Sequence, residues 1–129
     1  MKIVVVEDDG IKRDEVIGLL NADKIEFEVF EYTNHALRYI RANKDNISGI
    51  ILDLGLASMP GAHDATPYKG LDVVNELHRK KIDIPILINS STEVDMIESY
   101  PSVFGQKHDM YDSDILEYFV SFLRRREEQ

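Results

Sequence analysis

Short runs of aliphatic residues recur along this chain with segments of helical period between them, and that alternation restricts the fold more than any other feature. Ile3 to Val6, Gly49 to Leu52 and Ile84 to Ile88 are too short for helices and lack the polar alternation of a strand with one wet face. Such runs are what a parallel sheet covered on both faces by crossover helices requires. Between them the period predicts a helix from about Ile11 to Asn21, burying Val16, Ile17 and Leu20. A weak strand follows around Phe27 to Glu31, then helices from about Asn34 to Lys44 and Leu71 to Lys81. Beyond an ill-defined segment, Ser91 to Pro101, a fifth strand near Val103 to Gln106 precedes a last helix. That helix is expected to start behind Ser113 as N-cap, with Ile115, Leu116, Phe119, Val120 and Leu123 inward. Five strands alternating with helices give a doubly wound α/β domain.

With 129 residues, 43% of them hydrophobic, the chain suits one compact domain, 1–129, with no second core. No apolar run reaches the roughly eighteen residues of a membrane span, and Ile3-Val4-Val5-Val6 is too short and too soon acidic for a signal peptide. The expectation is a soluble, cytoplasmic protein without a membrane partner. The lack of cysteine excludes disulfides, thiolate metal sites and cysteine nucleophiles. A net charge of -9 disfavours nucleic acid as a partner, since polyphosphates are held by clustered Lys and Arg. The cluster Arg124-Arg125-Arg126 ends the last helix, where cations offset the negative end of the macrodipole.

The chemistry gathers at strand ends. The first strand ends in Glu7-Asp8-Asp9 and the third in Asp53, so a parallel sheet brings these carboxylates to one edge. At about 4 Å each like-charged pair costs roughly 4 kcal/mol at an effective dielectric near 20, which calls for a cation. Oxygen ligands without nearby His or Cys favour Mg²⁺, with Mn²⁺ as the alternative. Asp9 stands either as a further ligand or as the cap of the first helix. The fourth strand ends in Asn89-Ser90-Ser91 and Lys107 follows the fifth, adding a hydroxyl and an ammonium at the same edge. An acidic side chain that takes up a phosphoryl group needs such a set.

In order and placement, Glu7-Asp8, Asp53, Ser90 and Lys107, with Arg13 in the first helix, resemble the receiver domains of two-component response regulators over nearly the whole chain. The resemblance implies a flavodoxin-like five-stranded sheet of order 2-1-3-4-5. It further implies Asp53 as phosphoacceptor, Glu7, Asp8 and Asp53 with the main-chain carbonyl of Gly55 as metal ligands, and Ser90 and Lys107 as phosphate-binding residues. Ser90 and Phe104 would be the switch pair. The implied partners are a histidine kinase or phosphotransfer protein as donor, or a small acyl phosphate, and a downstream protein. Three departures stand out. His108 takes the place of the family's proline after the lysine, the loop after Asp53 is expanded, and the stretch between Ser90 and Lys107 is short.

Two other functions compete with a phosphorylated stand-alone receiver. A pseudo-receiver serving only as an interaction module has no reason to keep mutually repelling carboxylates. A metal-dependent phosphohydrolase of the haloacid dehalogenase type places an aspartate two residues after its nucleophile, where this chain has Gly55. His35 and His78 are expected on helix surfaces. The aperiodic segment Gly55 to Lys69 is long for a βα connection and starts at the ligand edge. Its part from Ala57 to Lys69 is read either as a lid, bent at Pro60, Gly61 and Pro67, with Met59, Ala62 and Ala65 covering the site, or as a mobile surface insertion with no effect on the chemistry.

Overall fold

The computed structural model describes residues 1–66, 69–89, 103–105 and 112–129, with the side chains of 103–105, 112 and 113 excepted. In chain order the elements are β1 (Lys2–Val6), α1 (Gly10–Ala22), β2 (Glu26–Phe30), α2 (Thr33–Asn43), a 3₁₀ turn (Lys44–Asn46), β3 (Gly49–Leu52), α3 (Leu71–Arg79), β4 (Ile86–Ile88), β5 (Val103–Gly105) and α4 (Asp112–Glu127). All strand pairs are parallel and the order is β2-β1-β3-β4-β5, the flavodoxin-like arrangement. Any helix between β4 and β5, and the expected irregular segment Ser91 to Pro101, lie outside the described residues.

The period of two along the central strands sorts their side chains to opposite faces. Val4, Val6, Ile50, Leu52, Ile86 and Ile88 meet Ala36, Leu37 and Ile40 of α2 and Val73, Val74 and Leu77 of α3. Ile3, Val5, Ile51 and Leu87 meet Val16 and Leu20 of α1 and Ile115, Leu116, Phe119, Val120 and Leu123 of α4. Each such aliphatic side chain contributes about 1.5–3 kcal/mol on leaving water, so the two-sided core holds β1 and β3 firmly in place. β2 is an edge strand, with Glu26 and Glu28 exposed and Phe27, Val29 and Phe30 half-buried, which is why its pattern is weak.

Several expected boundaries move. Ile17 is half-buried rather than part of the core, because Val16 and Leu20 already fill the sheet-facing side of α1. α4 begins at Asp112, so Ser113 lies in its first turn and does not precede it. α3 stops at Arg79: Lys81 is left-handed (φ 57°) and its N–H turns back to His78 O, while Ile82 N–H reaches Leu77 O at 2.9 Å. Arg126 binds Asp83 at 3.0 Å, so the basic end of α4 is tied to the chain just before β4. His78 is exposed, and His35 is half-buried with its ring edge-on to Tyr32.

The segment after β3 has a structure of its own. Met59-Pro60-Gly61-Ala62 closes with Ala62 N–H to Met59 O at 3.1 Å, proline before a glycine at φ 81°, the pattern of a type II turn. Leu56 bridges Thr66 in antiparallel fashion, Asp64 Oδ1 accepts from Ser58 N–H at 3.1 Å, and Lys69 reaches Asp64 (3.5 Å) and Asp72 (3.0 Å). This strap runs sideways: Ala57 O accepts from Thr33 N–H (3.1 Å) and Ser58 O from Asn34 N–H (3.0 Å). The expected lid contacts are not what anchors it. Met59 is 47% exposed and Ala65 is exposed, because the strap's carbonyls serve the start of α2, where Tyr32 supplies no side-chain cap. Pro67 lies outside the described residues.

Candidate functional site

The sheet register carries three carboxylates to one place. Val6 pairs with Leu52 of β3 and Phe30 of β2. The ladder continues one residue further, with Glu7 N–H on Phe30 O and Asp53 N–H on Val6 O, both 2.9 Å. Glu7 and Asp53 are thereby fixed side by side at the carboxyl ends of the two central strands, and both are buried (3% and 7% exposed). Asp8 joins them from the exposed side, and one oxygen from each of the three lies within 4.8 Å of the others.

Such proximity is costly unless charge is removed. Burial first, and then the neighbouring Asp53 carboxylate, push the Glu7 carboxyl up to about 8. Partial burial followed by the charge of Asp53 also raises Asp8, with smaller contributions from Asp9 and Glu31. Glu7 Oε2 accepts a long bond from Asp9 N–H at 3.4 Å, whereas Glu7 Oε1 is buried and has no hydrogen-bond partner among the described residues. An orphaned buried acceptor within a cluster of carboxylates fits a hard divalent cation, which would satisfy the oxygen and offset the repulsion together.

Asp9 takes the other role open to it: its Oδ1 accepts from Ile11 N–H (2.9 Å) and Lys12 N–H (3.1 Å), capping α1. Gly55 is exposed beside the cluster, and a Cβ built on it would stand 3.9 Å from Asp53 Oδ2. Asn89 extends β4 by donating to Leu52 O at 2.9 Å. Ser90, Lys107 and His108 themselves lie outside the described residues. The main chain of Phe104 pairs with Leu87 in β5, and its side chain lies outside them. Arg13 binds Glu31 at 2.8 Å, which partly neutralises an acid close enough to act on Asp8.

Gly70 also shapes the site, although its sequence context alone does not single it out for that role. A Cβ there would overlap Asp53 O and come within 2.7 Å of Leu54 Cα, so only glycine lets α3 start against the main chain of Asp53. Its N–H donates to Leu54 O at 2.8 Å. The available signal was a glycine directly before a helical period, at the end of a loop that leaves the strand bearing Asp53.

No family profile matches the sequence, and no curated protein matches it either. Solved structures do. The response regulatory domain of MrkE from Klebsiella pneumoniae matches at 18% identity over 100% of both chains, with a TM-score of 0.72. The beryllofluoride-activated N-terminal receiver domain of RstA from the same organism matches at 22% identity over 96% of this chain and 99% of its own, with a TM-score of 0.73. Response regulator TrrA from Thermotoga maritima, solved in complex with Mg²⁺ and beryllofluoride, matches at 25% identity over 95% of this chain and 97% of its own, with a TM-score of 0.67. With this topology over nearly its whole length, the chain has the fold of response-regulator receiver domains.

Proposed function

We propose that the chain is a response-regulator receiver, phosphorylated on Asp53 in a Mg²⁺-dependent reaction and acting through a protein partner. The observation that carries this reading is the trio Glu7, Asp8 and Asp53 at the carboxyl edge of the sheet, two of its members buried and one oxygen without a hydrogen-bond partner among the described residues. The Mg²⁺-bound TrrA has the same fold.

In the proposed reaction an Asp53 carboxylate oxygen attacks the phosphorus of a phosphohistidine on a histidine kinase or phosphotransfer protein. A P–O bond forms, the P–N bond breaks, and the imidazole leaves with its electron pair. A small acyl phosphate would serve equally, leaving as carboxylate. Glu7, Asp8 and Asp53, with Gly55 O, would hold the cation, which supplies positive charge against the incoming phosphoryl oxygens. Mn²⁺ suits the same ligands. Ser90 and Lys107 would take the remaining phosphoryl oxygens, and Ser90 with Phe104 would change position on phosphorylation. Asp53 is suited to the nucleophile's role because Val6 O and the β1–β3 core fix its main chain, leaving the side chain to meet an incoming donor.

Incubation with acetyl phosphate and Mg²⁺, followed by intact mass measurement, tests the proposal. The wild type should gain one phosphoryl group and Asp53→Asn none. Equal labelling of Asp53→Asn, or labelling indifferent to chelation of the metal, would overturn it.

A further inference from the structure

The strap after β3 ties the candidate phosphorylation site to the first turn of α2, and every link is main chain. Leu54, the residue after Asp53, has a carbonyl that accepts from both ends of the strap, Leu56 N–H at 3.0 Å and Gly70 N–H at 2.8 Å. Two residues beyond Gly55, Ala57 O holds Thr33 N–H, and Ser58 O holds Asn34 N–H. These are the first two amides of α2, and the helix has no side-chain cap. The path from Gly55 to Ala57 is only about 7 Å of extended chain, too short to absorb a displacement by bending. On the far side, Asp64 and Lys69 brace the strap against α3 through Ser58 N–H and Asp72.

We infer that this insertion is a coupling strap: occupation of the Asp53 site shifts the main chain at Leu54 to Leu56, and Ala57 and Ser58 carry the shift to the start of α2. The state of the site is thereby expressed on the β2–α2 side of the sheet. The inference rests on the phosphorylation reading above and adds to it a route of output through the strap. A lid would have been held by side chains over the site. A strap that caps a helix transmits strain instead, because freeing it leaves two helix amides without their acceptors.

Amide NMR spectra recorded with Mg²⁺ and beryllofluoride, an unreactive stand-in for the phosphoryl group, test the inference on the full chain. In the wild type, Gly55 and the amides of Thr33, Asn34 and His35 should all shift. In a chain with residues 57–66 replaced by a short Gly/Ser connection, Gly55 should still shift, while the α2 amides lose most of their response. By reciprocity the affinity for beryllofluoride should change about fivefold or more. Thr33→Pro gives a second test in case the shortened chain does not fold: proline is favoured at the first helical position, and of the strap's two hydrogen bonds to α2 it deletes the one from Thr33 N–H to Ala57 O, at the same time replacing the buried threonine side chain. There the response of Asn34 and His35 should weaken. An undiminished α2 response in both variants, or a wild type in which Gly55 shifts and α2 does not, overturns the strap and leaves the phosphorylation reading intact. If Gly55 itself does not respond, both fall.

Discussion

Between Asp53 and Lys69 the chain builds two regions by different means. At Asp53 position comes from a distance: strands β1, β2 and β3, far apart in sequence, set the residue's place through a register in which Val6, Leu52 and Phe30 are neighbours. From Leu56 to Lys69 order comes from nearby groups, a proline-glycine turn, an aspartate on a backbone amide and a lysine between two carboxylates. The first region stores electrostatic repulsion on a rigid frame, and the second stores little energy and can be cut loose. Perturbations of the strand-end cluster should therefore cost or gain much more than perturbations of the strap.

The largest contrast is expected in the dependence of stability on pH. Glu7 is raised from its ordinary 4.5 to about 8, so the metal-free folded chain holds a proton that the unfolded chain has released. The stability this gives is complete below about 4.5 and is lost as pH rises toward 8, with a slope of up to about 1.4 kcal/mol per pH unit. Denaturant titrations in chelator across that window should show the fall, and Glu7→Gln should flatten it. Mg²⁺ should stabilise the wild type increasingly at higher pH, because its ligands must be deprotonated. A metal-free wild type whose stability is level from pH 5 to 8 would show that the repulsion is relieved in another way.

Next in size is Gly70, where the two regions meet. An alanine there must push α3 away from Asp53 O and Leu54 Cα, at a cost of about 2–3 kcal/mol, and it should lower labelling by acetyl phosphate along with stability. Stability unchanged to within about 0.5 kcal/mol would mean that the helix start gives way freely. Gly61→Ala is the matched change within the strap. Its left-handed φ of 81° costs an L-residue about 1–2 kcal/mol, but among the described residues beyond its chain neighbours no atom lies within 4 Å of the added Cβ, so labelling should be unaffected. If Gly61→Ala impairs labelling as much as Gly70→Ala, the separation of the two regions fails.

What was legible in the sequence divides along the same line. Runs such as Ile3 to Val6 and Gly49 to Leu52 declare a strand buried on both faces, and the order of the elements then places Glu7, Asp8 and Asp53 together without any knowledge of contacts. The inward side of α4 was readable for the same reason. Local main-chain geometry was not. Lys24 and Lys81 adopt left-handed conformations usually marked by glycine, so the end of α3 was set too late, and Gly70, whose role depends on what packs against it, looked like any loop glycine. For the strap, proline and glycine announced bends but not their destination. It is the missing cap at Tyr32 that draws Ala57 and Ser58 toward α2, and that absence gains meaning only when the two segments are side by side.

The smallest effect predicted is the one that separates order from stability within the strap. Asp64 Oδ1 holds Ser58 N–H, and Asp64 pairs with Lys69, itself shared with Asp72. The lysine is 25% exposed and the aspartate 40%, so the ion pair is screened by water, and the bond to the amide is worth about 1 kcal/mol or less. Asp64→Ala should therefore lower global stability by no more than about 1 kcal/mol. Its consequence should be local: Ser58 loses the acceptor for its N–H, and the hydrogen bonds from Thr33 and Asn34 to Ala57 and Ser58 open more often. Hydrogen exchange should accelerate at Ser58, Thr33 and Asn34 while Val5, Val6, Ile51 and Leu52 keep the protection of the core. Faster exchange at those core strands would mean that strap and sheet unfold as one unit, and the two regions would then differ in sequence origin alone.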